Sequence, residues 1–318
     1  GPTRSVDDRD FYFGDLQHRL VQQGVRTLVL CGDMQGGSWT AFAKGQLDTG
    51  RLARVPELAL LNPLVPFRLM VQQLRASARL RRLAATTHDL FVKRISLLAS
   101  RECLAPDTAR TGLYFWIMRS AIRRWRPRAF MTLYEGHAWE VCSRWGVKAE
   151  DPSCYTVGYQ HTAVFPESQS LMSPSSATAV RLAPDVVLSL GQVSLELIAQ
   201  GHARVQTRVV RFGSFRYSPA HVQRPADPRR RVVLVTPEGL ASEVKVLFEF
   251  AYACARRLPN QTFVLRCHPE LPMARALRLV SVDLAKQPNI ELSGHRIEED
   301  LARSSALLYR GSTTVLSA

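Results

Sequence analysis

The chain has 318 residues, 46% of them hydrophobic, which is enough apolar side chain for two domains of ordinary size. Its 42 Lys and Arg against 27 Asp and Glu leave a net charge of +15, which selects anionic partners such as nucleotides, sugar phosphates or acidic lipids. No zinc-finger spacing, RNP-like run or basic-region heptad is present, so nucleic acid is not expected among them. No run of about twenty apolar residues is present to span a bilayer. The six cysteines (Cys31, Cys103, Cys142, Cys154, Cys254, Cys267) stand far apart without a C-x-x-C pair, which points to a reducing cytosol rather than a disulfide framework.

In chain order, apolar positions at helical spacing over 10–24 end at Gly24. A strand, TLVLC at 27–31, runs into Gly32, Asp33, Gly36 and Gly37, a glycine-rich turn where backbone can approach a ligand. It is not G-x-G-x-x-G, and a plain tight turn between strand and helix accounts for it equally well. Residues 63–101 read as helical and basic, with Leu69, Met70, Leu74, Leu80 and Leu83 interleaved with Arg68, Arg75, Arg79, Arg81 and Arg82. Such a stripe can lie on an anionic membrane surface with its arginines at headgroup level; a solvated helix packed by its leucines is the plainer reading. A further helix over 111–126 is stopped by Pro127.

The run AFMTLY at 129–134 reads as a buried strand ending in Glu135, Gly136 and His137, before a helix over 138–145. A carboxylate at a strand tip, beside a glycine and ahead of a helix, is placed to act as a general base or to cap the helix N-terminus, and position alone does not choose. The next strand, YTVGYQ at 155–160, delivers Gln160, His161 and Thr162 to the same edge. The serine- and proline-rich loop 165–184 has the character of a segment that closes over substrate. Strand 186–190, helix 194–200 and strand 209–212 follow. Residues 216–230 hold three prolines and few large apolar groups, as an interdomain linker does.

The pattern then restarts. Strand 231–235 leads through the loop TPEG, with Glu238, into helix 242–257. Strand 262–266 leads through His268-Pro269 into helix 271–284. Strand 290–292, helix 298–304 and strand 306–309 follow, and the last strand delivers Arg310, Gly311, Ser312, Thr313 and Thr314. This alternation predicts an α/β fold of two Rossmann-like domains facing a central cleft, over 4–217 and 231–318, joined by a linker at 218–230. Four strands before Ala318 imply a C-terminal domain that is incomplete. Ligands bind at the carboxyl edge of such sheets. Arg266 and His268 reach that edge from one strand, with Pro269 fixing the exit of the chain. The stretch from Arg310 to Thr314 reaches it from another, as a turn into a helix N-terminus whose N–H groups and hydroxyls can hold an anion. A phosphate-bearing ligand is the expectation, with Glu238, Gly36 and Gly37 as further contacts.

With these motifs in this order, the chain resembles bacterial GT-B glycosyltransferases that use CMP-activated sugars: the sialyltransferases, polysialyltransferases and Kdo transferases of capsule and lipopolysaccharide assembly. Those enzymes share an acidic pair before glycine, a His-Pro and a Ser-Ser or Ser-Thr. Here stand Glu135-Gly136, His268-Pro269 and Ser312-Thr313, each at an expected strand end, and GYQHT at 158–162 is similar to the capsule Kdo transferases. The first acidic place is Tyr134 here, which leaves Glu135 alone.

The resemblance implies that Glu135 deprotonates the acceptor hydroxyl, that His268 holds or protonates the departing CMP phosphate, and that Ser312 and Thr313 bind it, with Gly136, Gln160 and His161 on the substrate side. It implies a nucleotide-sugar donor carrying Kdo or another nonulosonic acid, and a glycan or glycolipid acceptor. No cofactor is expected beyond the CMP-sugar itself, and the location is cytoplasmic, with peripheral contact to the anionic inner face of the membrane. No Asp-x-Asp sits at a strand tip, so no metal is expected. Arg266 and Arg310 can pair with phosphate or with the sugar carboxylate. Two rivals share parts of the pattern. Polymerases that transfer glycerol phosphate from CDP-glycerol also carry His-Pro and a serine motif but give Glu135 no role, and a non-catalytic, membrane-peripheral scaffold predicts no nucleotide affinity.

Overall fold

The computed structural model describes residues 10, 12–31, 53–164, 171, 182–202, 206–215, 231–268, 271–311 and 314–315. The chain divides into two compact units, Gly1–Arg216 and Tyr217–Ala318. Both are α/β, and each strand pairing in their sheets is parallel, as the alternating pattern predicts. Gly36, Gly37, Pro269, Ser312, Thr313, the linker 218–230 and most of the loop 165–184 lie outside the described residues.

The first unit begins with a short helix, α1 (Leu16–Gln22), and a two-stranded sheet of β1 (Leu28–Cys31) and β2 (Ala53–Pro56). Three helices follow: α2 (Val65–Thr86), α3 (Leu90–Glu102) and α4 (Pro106–Trp125). A four-stranded sheet then runs in chain order, β3 (Ala129–Leu133), β4 (Tyr155–Tyr159), β5 (Val186–Ser189) and β6 (Arg208–Arg211), with α5 (Ala138–Glu150) between β3 and β4 and α6 (Gln192–Gly201) between β5 and β6. The core gathers on α4, whose Ile117, Met118, Ala121 and Ile122 pack with Val147 of α5, and against Leu30, Val55 and Phe130 from the strands.

The helical stretch 63–101 is two helices, because Asp89 interrupts it. Its Oδ1 accepts the N–H groups of Phe91 (2.8 Å) and Val92 (3.1 Å) and starts a new helix. Leu69 of this stretch is buried, but Met70, Leu74 and Leu83 are exposed, so packing by the leucines holds only in part.

The second unit holds β7 (Val232–Pro237), α7 (Ala241–Arg257), β8 (Thr262–Leu265), α8 (Met273–Leu277), β9 (Ile290–Leu292), α9 (Ile297–Arg303) and β10 (Ala306–Arg310). Its sheet order is β10-β7-β8-β9. Val235 and Leu265 from the strands meet Phe248, Ala251 and Ala255 of α7 in the core. The helix expected over 271–284 is only the five residues of α8. The β-branched Val280 and Val282 follow it, and the Ser281 N–H is given to the Glu249 carboxylate (2.8 Å) instead of to a helical carbonyl. Among the described residues no helix is long and apolar enough to cross a membrane.

The α4–α5 contact is closest at Gly146, where a Cβ would stand 2.3 Å from the Phe115 carbonyl oxygen. Gly146→Ala is expected to force the two helices apart and cost about 1–3 kcal/mol. Urea denaturation checks this through a lower midpoint at unchanged slope.

Candidate functional site

In the first unit the carboxyl ends of β3 and β4 place three polar side chains together. The Glu135 carboxylate, partly exposed beyond β3, has one oxygen 3.2 Å from His137 Nε2 and the other 3.4 Å from His161 Nε2. His161 follows β4, is 2% exposed, and is met edge-on by the Tyr12 ring at 4.8 Å. Gln160 beside it has no exposure, and its amide works within the fold: Oε1 accepts the Leu190 N–H (2.7 Å) and Nε2 donates to the Thr162 carbonyl. It thereby ties the exit of β4 to that of β5 and sets where His161 lies.

The backbone beneath Glu135 is held by a carboxylate that the sequence reading passed over. Glu140, in the first turn of α5, has no exposure and accepts the N–H groups of Glu135 (3.0 Å) and Gly136 (3.2 Å). It reaches back as the second half of a capping box does, and Gly136 at φ +83 lets the chain turn there. The spacing His137-x-x-Glu140 directly after a strand was the available signal. Behind it lies Arg144, 3% exposed, whose guanidinium stands 4.0 Å from the Glu140 carboxylate, donates to the Leu182 carbonyl (2.9 Å) and covers the Tyr134 ring at 5.5 Å. The Tyr134 hydroxyl is 2.5 Å from His202 Nε2, and burial pushes it up to about 12. Glu135, His137 and Glu140 offer ligand atoms within 4.8 Å of one another, which makes them the residues that could hold a cation, although Glu140 is already committed to two backbone donors.

In the second unit the order β9-β8-β7-β10 is that of half a Rossmann sheet, third-second-first-fourth, and its direction of winding switches between β7 and β10. Ligands of such sheets sit at the carboxyl ends beside that switch. Glu238 and Gly239 leave β7 there, His268 follows β8, and Gly311 leaves β10. Gly311, at φ +68, lies so close to Glu238 that a Cβ would stand 2.4 Å from Oε1, and a Cβ on Gly239 would stand 3.1 Å from His268 Nδ1. Glu238, His268 and Gly311 are therefore neighbours, with His268 exposed and Glu238 half-buried. The Thr236 hydroxyl, buried beneath this edge, has no hydrogen-bond partner among the described residues. Thr314 is half-buried just beyond Gly311.

Both arginines are paired to acidic side chains of their own unit, Arg266 partly buried and Arg310 exposed. Arg266 Nη1 donates to the buried Asp300 carboxylate (2.8 Å) and to the His295 carbonyl (2.6 Å). Burial works against the charge on Asp300, but the Ser293 hydroxyl, Arg266 and Arg303 together hold its carboxyl below the ordinary range. Arg310 Nε lies 3.1 Å from Glu243.

No family model matches this chain, and no curated protein matches it. Among solved structures, the chain is similar to the crystal structure of the glycotransferase of kitacinnamycin, with a TM-score of 0.50 at 15% identity, over 95% of this chain and 72% of that one. At that identity the likeness concerns the fold alone, an α/β fold with parallel sheets.

Burial lifts the Glu140 carboxyl from its ordinary 4.5 to about 7, against the Glu135 N–H, Arg144, His137 and the Gly136 N–H, all of which favour the charged form. The folded protein therefore keeps a proton that the unfolded chain releases. The group's contribution to stability is complete below about pH 4.5 and is lost as pH rises through about 7. Glu140→Gln is expected to flatten that part of the stability–pH curve, measured by denaturation across the same range; an unchanged curve would contradict the placement of the proton.

Proposed function

We propose that the chain is a glycosyltransferase that moves a 2-keto acid sugar, Kdo or another nonulosonic acid, from its CMP-activated donor to a cell-surface glycan or glycolipid, met at the inner face of the cytoplasmic membrane. The observation that carries this reading is the Glu135 carboxylate, presented at a strand end between two imidazoles on a backbone clamped by Glu140. The fold likeness to a glycosyltransferase supports it.

In this mechanism Glu135 takes the proton of the acceptor hydroxyl as the oxygen attacks the anomeric carbon. His161 and His137 hold the carboxylate in one orientation, so little reorganisation is needed as the proton moves. The bond from the anomeric carbon to the CMP phosphate breaks, and negative charge grows on the leaving nucleotide. The His268 imidazole, the hydroxyls of Ser312 and Thr313, and backbone N–H groups beyond Gly311 stabilise that charge, and they do so more strongly in the transition state than in the bound donor. Such a set dispenses with a divalent ion, and Arg266 and Arg310 are already paired to Asp300 and Glu243.

Incubation with a panel of CMP-sugars, following CMP release in the presence of acceptor, tests the reading. One nonulosonic donor is expected to turn over, and Glu135→Gln to lower the rate by about 10²- to 10⁴-fold. Full activity of that variant would instead favour glycerol phosphate transfer from CDP-glycerol. Turnover is expected to survive EDTA; loss restored by a divalent ion would put a cation among Glu135, His137 and Glu140.

A further inference from the structure

Two helices of the first unit turn large apolar side chains outward. α2 and α3 meet along a seam of small residues, where Ser77 donates to the Ser100 carbonyl (2.8 Å) and Ala84, Ser96 and Ser100 are buried. Residues three, four or seven apart share a helix face. Phe67, Met70 and Leu74 therefore line up on α2, and Phe91, Ile95 and Leu98 on α3. All six are exposed, Phe67 by 63% and Phe91 by 74%.

Arg68, Arg75, Arg79 and Arg82 form a second row on α2, and Arg94 and Arg101 one on α3, every one of them exposed. Residues 65–102 carry eight Lys and Arg against only Asp89 and Glu102. A helix on an ordinary soluble surface shows its charges and hides its phenylalanines. Here both face outward side by side, the pattern of a helix lying in the headgroup region, where apolar side chains reach the acyl boundary and arginines meet lipid phosphate.

We propose that the α2–α3 hairpin docks the chain on a bilayer containing anionic lipid. Charge chooses this occupant. A second copy of the chain would bring like-charged arginine rows together, and a nucleic acid would neutralise the arginines but leave the phenylalanines in water. The exposed His88 and Asp89 at the turn between the helices keep the hairpin at interfacial depth. The surface names the place where the proposed glycolipid acceptor is met, yet its evidence is the hairpin alone, so the two readings fail separately.

The test is co-sedimentation of the purified chain with vesicles of phosphatidylcholine, or of an equal mixture of phosphatidylcholine and phosphatidylglycerol, without nucleotide. Binding is expected only to the mixed vesicles, and high salt should release the protein. Phe67→Ser with Phe91→Ser, and separately Arg75→Gln with Arg79→Gln and Arg82→Gln, should each weaken binding at least about tenfold. These side chains are outside the hairpin seam, and circular dichroism checks that the helices persist. Absence of vesicle binding, equal binding to neutral vesicles, or unchanged binding by both variants would overturn the proposal. So would a dimer in analytical ultracentrifugation that the phenylalanine variant dissociates.

Discussion

A carboxylate without exposure to water, Glu140, holds the turn on which the first candidate site stands. Burying an acid is unfavourable unless donors meet it, and the donors here are the two backbone N–H groups that fix Glu135 and Gly136 at the strand end. The same carboxylate faces Arg144, which is itself buried and lies over the Tyr134 ring, whose hydroxyl meets His202. A tyrosine at 134 suits this set. A second carboxylate there would add a charge beside Glu140 in a region already hard to solvate, whereas a neutral ring offers its face to the guanidinium. Glu135 is left as the carboxylate of this turn that reaches solvent, its backbone held by Glu140 and its side chain flanked by His137 and His161.

Topology sets the second edge. With β7 at the point where the sheet changes its direction of winding, the chain leaves β7 and β10 side by side, and the glycine at 311 is what allows Glu238 to lie against that exit. A side chain at 311 would fill the space and also require an unfavourable backbone conformation. Arg266 and Arg310, at the ends of β8 and β10, are paired with Asp300 and Glu243.

The strand ends were legible in the sequence because each is an apolar run cut off by polar residues, and Glu135, His161, His268 and Gly311 all fall at such ends. β2 was not, since ARVP is four residues long and ends in proline, too short for any alternation to register. The break at Asp89 was hidden because Thr87, His88 and Asp89 continue the polar side of the helical pattern. Helical spacing also groups residues on a face without saying what covers it: Met70 and Leu74 read as packing residues, but the seam is made by serines and alanine. Likewise a polar residue at a strand tip can turn inward or outward. Gln160 and Arg266 turned to partners far along the chain, Leu190 and Asp300, which no local pattern contains.

Affinity for the nucleotide is the most direct check on the transferase account, because it precedes any choice of sugar or acceptor. Titration calorimetry of the chain with CMP, with UDP as the comparison, is predicted to show a binding isotherm for CMP that weakens at least about tenfold in His268→Ala, in keeping with the loss of a hydrogen bond to a charged group. A chain that takes up no CMP, or binds CMP and UDP alike with no effect of His268, would contradict it.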